Sequence, residues 1–253
     1  MNGYIAFVKK EFMENTRNYR LLIMTALFTI FGMLGPLSAK FMPELIASLA
    51  PDLEIAITEP TALDSWVQFY KNISQLGFSV MIILFSGCLS SEYTKGTLNI
   101  MLTKGLSRPA VVMAKYTVAA AIMTISYWLC FGITYGYTAY LWPGTSLPHT
   151  TFAALALWVM GFVYLSVLML GCVLFRQSFT SIVLLLAVTV FMSLVSIPAS
   201  IAIYSPLVLT SKNVDLIAGN AAASDFHVPM IVAFVMIVGL MATAVVLFSK
   251  KKL

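Results

Sequence analysis

Few side chains in this sequence are placed to make or break a bond. The two histidines, His149 and His227, both fall in segments outside the apolar runs, and neither has a cluster around it. Cys88, Cys130 and Cys172 each lie in an apolar run and form no Cys-x-x-Cys, so they read as small core hydrophobes. Glu44, Asp52, Glu54, Glu59 and Asp64 cluster in one acidic stretch but lack EF-hand or histidine-assisted spacing. No Gly-x-x-x-x-Gly-Lys-Ser/Thr loop is present to cradle a nucleotide. The expectation is a chain without catalysis, metal or cofactor of its own.

One segment is instead patterned for recognition. Between Glu92 and Pro109, Leu98, Met101 and Leu102 fall at i, i+3 and i+4, one apolar face of a short helix. Gly96 or Thr97 can open that helix, and Gly105 and Pro109 can close it. Such a face has nothing of its own chain to cover it. Docking in a partner's groove is the natural use, and lying flat on a membrane is the alternative.

The elements that carry this segment follow from composition. Hydrophobic types make up 60% of the 253 residues and charged types 10%, against roughly 25% charged in a soluble domain. A chain this apolar cannot coat its own surface, which predicts an all-α integral membrane protein, one transmembrane domain over 1–253. A span needs about 20 mostly apolar residues, and six such stretches are found, about 21–39, 72–91, 116–141, 151–175, 179–204 and 229–248. Pro198 is expected to kink the fifth near its outer end. The first is read as an uncleaved helix. The segment 205–228 before the sixth is too broken to span and suits a re-entrant or interfacial hairpin.

Charge orients the spans. With both termini on one side, that side holds twelve Lys/Arg and three glutamates, while the other holds three lysines and seven acids. The positive-inside rule makes the basic side, with both termini, cytoplasmic. The basic pI near 9.1 is thereby explained without nucleic acid. Ahead of the first span, Tyr4, Ile5, Val8 and Phe12 recur at helical spacing among Lys9, Lys10, Glu11 and Glu14, the pattern of an interfacial helix.

Within these spans no Asp, Glu, Lys or Arg occurs, which disfavours a proton relay or an intramembrane hydrolase. Ser79, Ser86, Tyr127, Phe131, Tyr135, Thr189, Met192 and Ser193 are candidates to line a substrate path, with interhelical packing the competing and stronger reading. Gly132 and Gly136 form a Gly-x-x-x-Gly that is expected to pack inside the chain rather than at a dimer seam.

At the patterned loop the sequence resembles the ABC-2 type transporter permeases. The resemblance rests on Glu92 at the end of the second span, Gly96-Thr97-Leu98, Ser107-Arg108, and Lys115 entering the third. Gly105-Leu106 stands where the family often has Pro-Val or Pro-Ile before Ser-Arg. The opening Lys9-Lys10-Glu11-Phe12 with Arg17 looks like the family's amphipathic N-terminal helix.

The resemblance implies an exporter subunit of a bacterial plasma membrane, multi-pass, whose helix at Leu98, Met101 and Leu102 couples to a separate ABC ATPase. Glu92, Gly96, Thr97, Ser107, Arg108 and Lys115 would frame that coupling, with Glu92 paired to Arg108 or Arg17. ATP and Mg would be bound by the partner, present in two copies. A second permease chain, identical or a sister subunit, would complete the path in the lipid bilayer. The cargo would be an amphiphilic peptide or lipophilic small molecule. An ATP-independent carrier or channel, and a scaffold or sensor holding a cytosolic partner, are the alternatives.

Overall fold

The computed structural model describes residues 3–49, 59–90, 92, 107–145, 147–175 and 177–251. Among these every regular element is helical. The chain opens with α1 (Gly3–Arg17) and α2 (Arg20–Leu49), separated by Tyr19, whose φ of 59° turns the backbone through the left-handed region. Then α3 (Ala62–Asn72) passes through one π-helical turn (Ile73–Gly77) into α4 (Phe78–Phe85). Beyond the inner loop come α5 (Arg108–Leu141), α6 (Thr150–Leu174) and α7 (Ser178–Val195). Three short helices, α8 (Ala199–Ala202), α9 (Val208–Ser211) and α10 (Asn213–Ile217), lead through a 3-10 turn (Ala223–Phe226) to α11 (His227–Lys250).

Among the described residues, five helices are long and apolar enough to cross a membrane: 20–42 within α2, α5, α6, α7 and 223–250, which includes α11. The stretch expected as a second span is a helical run from Ala62 to Phe85, divided by the π-helical turn. It starts ten residues before the expected boundary, because Thr61 and Asp64 nucleate it. The Asp64 carboxylate accepts from both the backbone N–H and the hydroxyl of Thr61, each at 2.8 Å, satisfying donors that a helix start leaves open.

Two further departures have local causes. α7 does not kink at Pro198 but ends at Val195, and Pro198 precedes the separate α8. The proline ring would clash with the carbonyl four residues earlier and lacks an N–H to continue the ladder. Among the described residues the Gly132-x-x-x-Gly136 pair has no packing partner, since a Cβ at either position would meet no atom within 4 Å. The close approach in this region is made by Gly32, where a Cβ would lie 2.9 Å from the Cys130 carbonyl. Thr134 also donates to the Gly32 carbonyl at 3.1 Å, so α2 and α5 meet backbone to backbone.

α6 is the hub. It buries residues around most of its circumference, from Ala153 to Val173, against α5, α7, α11 and the short α9 and α10. α7 is its opposite, with only Ser181 and Leu185 buried along its length while Phe179, Leu186, Val190 and Phe191 are exposed. A helix that is apolar all round yet exposed requires lipid or a partner rather than water. The 205–228 segment, expected as a hairpin, places Val208, Leu209, Leu216, Ile217 and Phe226 in the main apolar core. A second, smaller core joins Phe7, Leu89, Val111, Val173 and Phe248, gathering α1, the end of the second run and the adjoining ends of α5, α6 and α11.

Candidate coupling site

Around that smaller core α1 presents Phe7, Glu11 and Asn15, spaced by four and therefore stacked on one face. Burying a carboxylate costs several kcal/mol unless it is paired, so the surroundings of Glu11 (3% exposed) decide what this face is for. They supply two ammonium groups. Lys115 of α5, itself buried, donates to Glu11 Oε2 at 2.9 Å, and Lys10 donates to Glu11 Oε1 at 2.8 Å. The same two lysines reach Glu92 Oε1, Lys115 at 3.0 Å and Lys10 at 3.2 Å.

Glu11, Lys115, Glu92 and Lys10 thus form a closed ring of alternating charge. It ties α1 to α5 and to the residue from which the inner loop departs. Lys10 also holds Glu14 at 2.7 Å, one helical turn on. Asn15 donates to the Glu11 carbonyl at 2.9 Å, and the Tyr4 hydroxyl bonds Thr117 Oγ1 at 2.9 Å. Glu92 Oε2 is buried and has no hydrogen-bond partner among the described residues.

The electrostatics of the outer members follow from this packing. Partial burial works to lower the Lys10 ammonium, but its hydrogen bonds to Glu11 and Glu14 outweigh that and hold it above the ordinary lysine value. Burial likewise works to raise Glu14, and the hydrogen bond and charge of Lys10 hold it below the usual carboxylate range. Both shifts favour the charged forms, as a salt-bridged network requires.

The expected partners of Glu92 are corrected here: it pairs with Lys10 and Lys115, not with Arg108 or Arg17. Arg108 opens α5, seven residues or about 10 Å along the helix from Lys115. Its guanidinium instead donates to carbonyls at the end of α11, those of Phe248 at 3.5 Å, Ser249 at 3.3 Å and Lys251. Lys251 in turn donates to the Val173 carbonyl at the end of α6, at 2.7 Å. Cations there complement the unsatisfied carbonyls and negative end of each helix dipole.

Of the other residues assigned to coupling, Ser107 is the exposed, extended residue preceding α5. Gly96, Thr97, Leu98, Met101 and Leu102 lie outside the described residues. What the structure adds is that both ends of their segment are anchored, Glu92 in the charge ring and Arg108 on α11.

Of the residues proposed for a substrate path, Phe131 and Tyr135 stack with ring centroids 6.2 Å apart, while the eight as a set are spread over α4 and its end, α5 and α7. The hydroxyls of Ser79 and Thr189 bond back to their own helices, to Gln75 and Leu185, each at 2.5 Å. Ser86 does the same to Ile83 at 3.0 Å. Tyr127 is buried and donates to the Ala154 carbonyl at 2.6 Å. Phe131 packs in an aromatic cluster with Trp66, Phe69 and Trp128. Met192 is partly buried against the main core and Ser193 is exposed. A cavity of about 480 Å³ opens beside Trp66, Thr138, His149 and Phe152, and Tyr135 is the one of the eight that lines it.

On the N-terminal helix, Tyr4, Ile5 and Phe12 are exposed and Val8 is partly buried. The outward apolar face is therefore present, with a second, inward face on Glu11 behind it. That inward face was not legible as a site. Lys10-Glu11 read as the polar side of an interfacial helix, and only the register of Lys115 could have suggested otherwise.

The profile of the ABC-2 family transporter proteins matches residues 5–253. The chain belongs to that family. It is an ABC-2 family transporter membrane protein. It is similar to an uncharacterized transmembrane protein of Bacillus subtilis (strain 168), YxlG, with 23% identity over 165 residues. That similarity covers 63% of this chain and 64% of the Bacillus protein.

Proposed function

We propose that this chain is the permease subunit of an ATP-driven ABC-2 exporter and that a separate ATPase subunit acts on the inner segment carrying Leu98, Met101 and Leu102. The observation that carries this reading is the anchoring of both ends of that segment. Glu92 is locked by two lysines to α1 and α5, and Arg108 is locked to the end of α11. A push on a loop with free ends is absorbed locally. A push on this one reaches three helices at their bases. ATP and Mg belong to the partner, two copies of which serve two permease chains, identical or sisters.

The same reading places both termini and the inner loop on the cytoplasmic side of a bacterial plasma membrane, by the lysine and arginine bias. It counts the Ala62–Phe85 run with its following turn as the sixth crossing, and α1 lies at the inner interface with Tyr4, Ile5 and Phe12 towards lipid. The cargo class that suits a path without buried intramembrane charge is an amphiphilic peptide or lipophilic molecule.

The test is co-purification of the tagged chain from its native membrane. A nucleotide-binding subunit is expected in near-stoichiometric amount. The L98D/M101D/L102D variant is expected to lose it while still inserting in the membrane. Full retention of the ATPase by that variant would falsify the coupling assignment.

A further inference from the structure

Three sulfur-bearing side chains lie in the smaller core, where the chain beyond α4 packs on α6. The Cys88 thiol donates to Met169 Sδ at 3.9 Å, and Cys88, Met169 and Cys172 share the smaller buried core. Met169 and Cys172 are three residues apart on α6 and share one of its faces. All three are buried, and both thiols are free. Cys172 otherwise donates to the Ser86 carbonyl at 3.0 Å. Thiols are weak donors, so these contacts do little to hold the protons in place.

The spacing matches a ligand. A metal held by three sulfurs at about 2.3 Å each keeps them about 4 Å apart, which is the Cys88–Met169 separation. Thiolate and thioether sulfur are soft ligands that select soft ions such as Cu(I) over hard cations. We infer that Cys88, Met169 and Cys172 form a three-sulfur site for a soft monovalent metal ion of the Cu(I) class.

Binding exchanges the two thiol protons, which pass to solvent, for one cation, and no electron is transferred. Two thiolates, one thioether and the ion leave a single negative charge. It forms near Lys115, which lines the same small crevice as Cys88. Cys88 also lines the small polar crevice formed with Glu11, Glu14, Asn15 and Arg20. Because the Glu14 side chain is 39% exposed, that crevice gives an ion and the departing protons a polar route. The site does not depend on the ATPase-coupling reading.

The test titrates Cu(I), under anaerobic conditions and against a chromophoric chelator, into the purified full-length chain in lipid nanodiscs. A C130S background removes the remaining cysteine. One Cu(I) per chain is expected, lost in the C88S/C172S variant and bound at least tenfold more weakly in M169L. X-ray absorption of the unsubstituted chain at one equivalent is expected to show a three-sulfur shell, a reading that needs no variant to fold. Unchanged stoichiometry in C88S/C172S, nitrogen or oxygen in the shell, or failure to take Cu(I) from the chelator would each overturn the assignment.

Discussion

Lys115 is the residue on which the inner end of the molecule turns, because it is a buried cation serving two buried carboxylates. Removing one partner of such a network leaves a charge uncompensated in a poorly solvated place, at about 3–5 kcal/mol. K115M is therefore expected to lower unfolding stability in detergent by that order, with α1 the first element to gain amide hydrogen exchange. E92Q is expected to cost less, since one of its oxygens has no hydrogen-bond partner among the described residues to lose. The outer pair gives a pH dependence. Glu14 is held below its ordinary value, so its contribution to docking α1 is complete above the unfolded carboxylate range. It is lost as pH falls through the lowered folded value. Lys10 is held above its ordinary value, so its contribution persists through neutral pH and fails only in strong alkali. Protection of residues 3–17 against exchange, taken relative to the intrinsic rate at each pH, should thus be high at neutral pH and fall in acid. Glu92 and Lys115 were recognisable in the sequence as loop-flanking residues. The pairing of Lys115 with Glu11 was not, because contact across 104 positions leaves no local period to read.

The helices themselves were largely legible, since long charge-free runs determine them whatever their neighbours are. Their boundaries were less so, because caps and prolines settle those one residue at a time, as Thr61–Asp64 and Pro198 show. The Gly132-x-x-x-Gly136 pattern, expected to pack inside the chain, is not where α5 approaches α2. A small-residue stripe permits close approach but does not say which stripe is used, and here Gly32 is the one opposed. Substituting G32V drives a branched side chain into the Cys130 carbonyl. Overpacking of this kind costs about 1–3 kcal/mol, visible as a lower melting temperature, whereas G132A should leave the isolated chain unchanged. At the foot of α5, R108E would place a carboxylate against the carbonyl end of α11. It is expected to loosen the α11 terminus by about 1 kcal/mol, read as faster exchange at residues 247–251 without loss of α1 docking.

Across the whole molecule, burial is uneven in a way that suits a membrane subunit. α6 is enclosed by its own chain, while α7 and the outward side of α11 present Phe, Leu, Ile and Val to the surroundings. That asymmetry was foreshadowed by composition alone, since 10% charged residues cannot cover 253 residues in water. At this scale the permease reading predicts a particle of two permease chains and two ATPase subunits, measurable as native mass after gentle extraction. The alternating ring of Lys10, Glu11, Glu92 and Lys115 also sets an order of events in biogenesis. Glu11 leaves the ribosome 104 residues before Lys115, an interval of roughly 5–20 s at about 5–20 residues per second. Throughout that delay the N-terminal helix lacks its buried counter-ion and waits at the membrane surface, so the first element made is among the last to be seated.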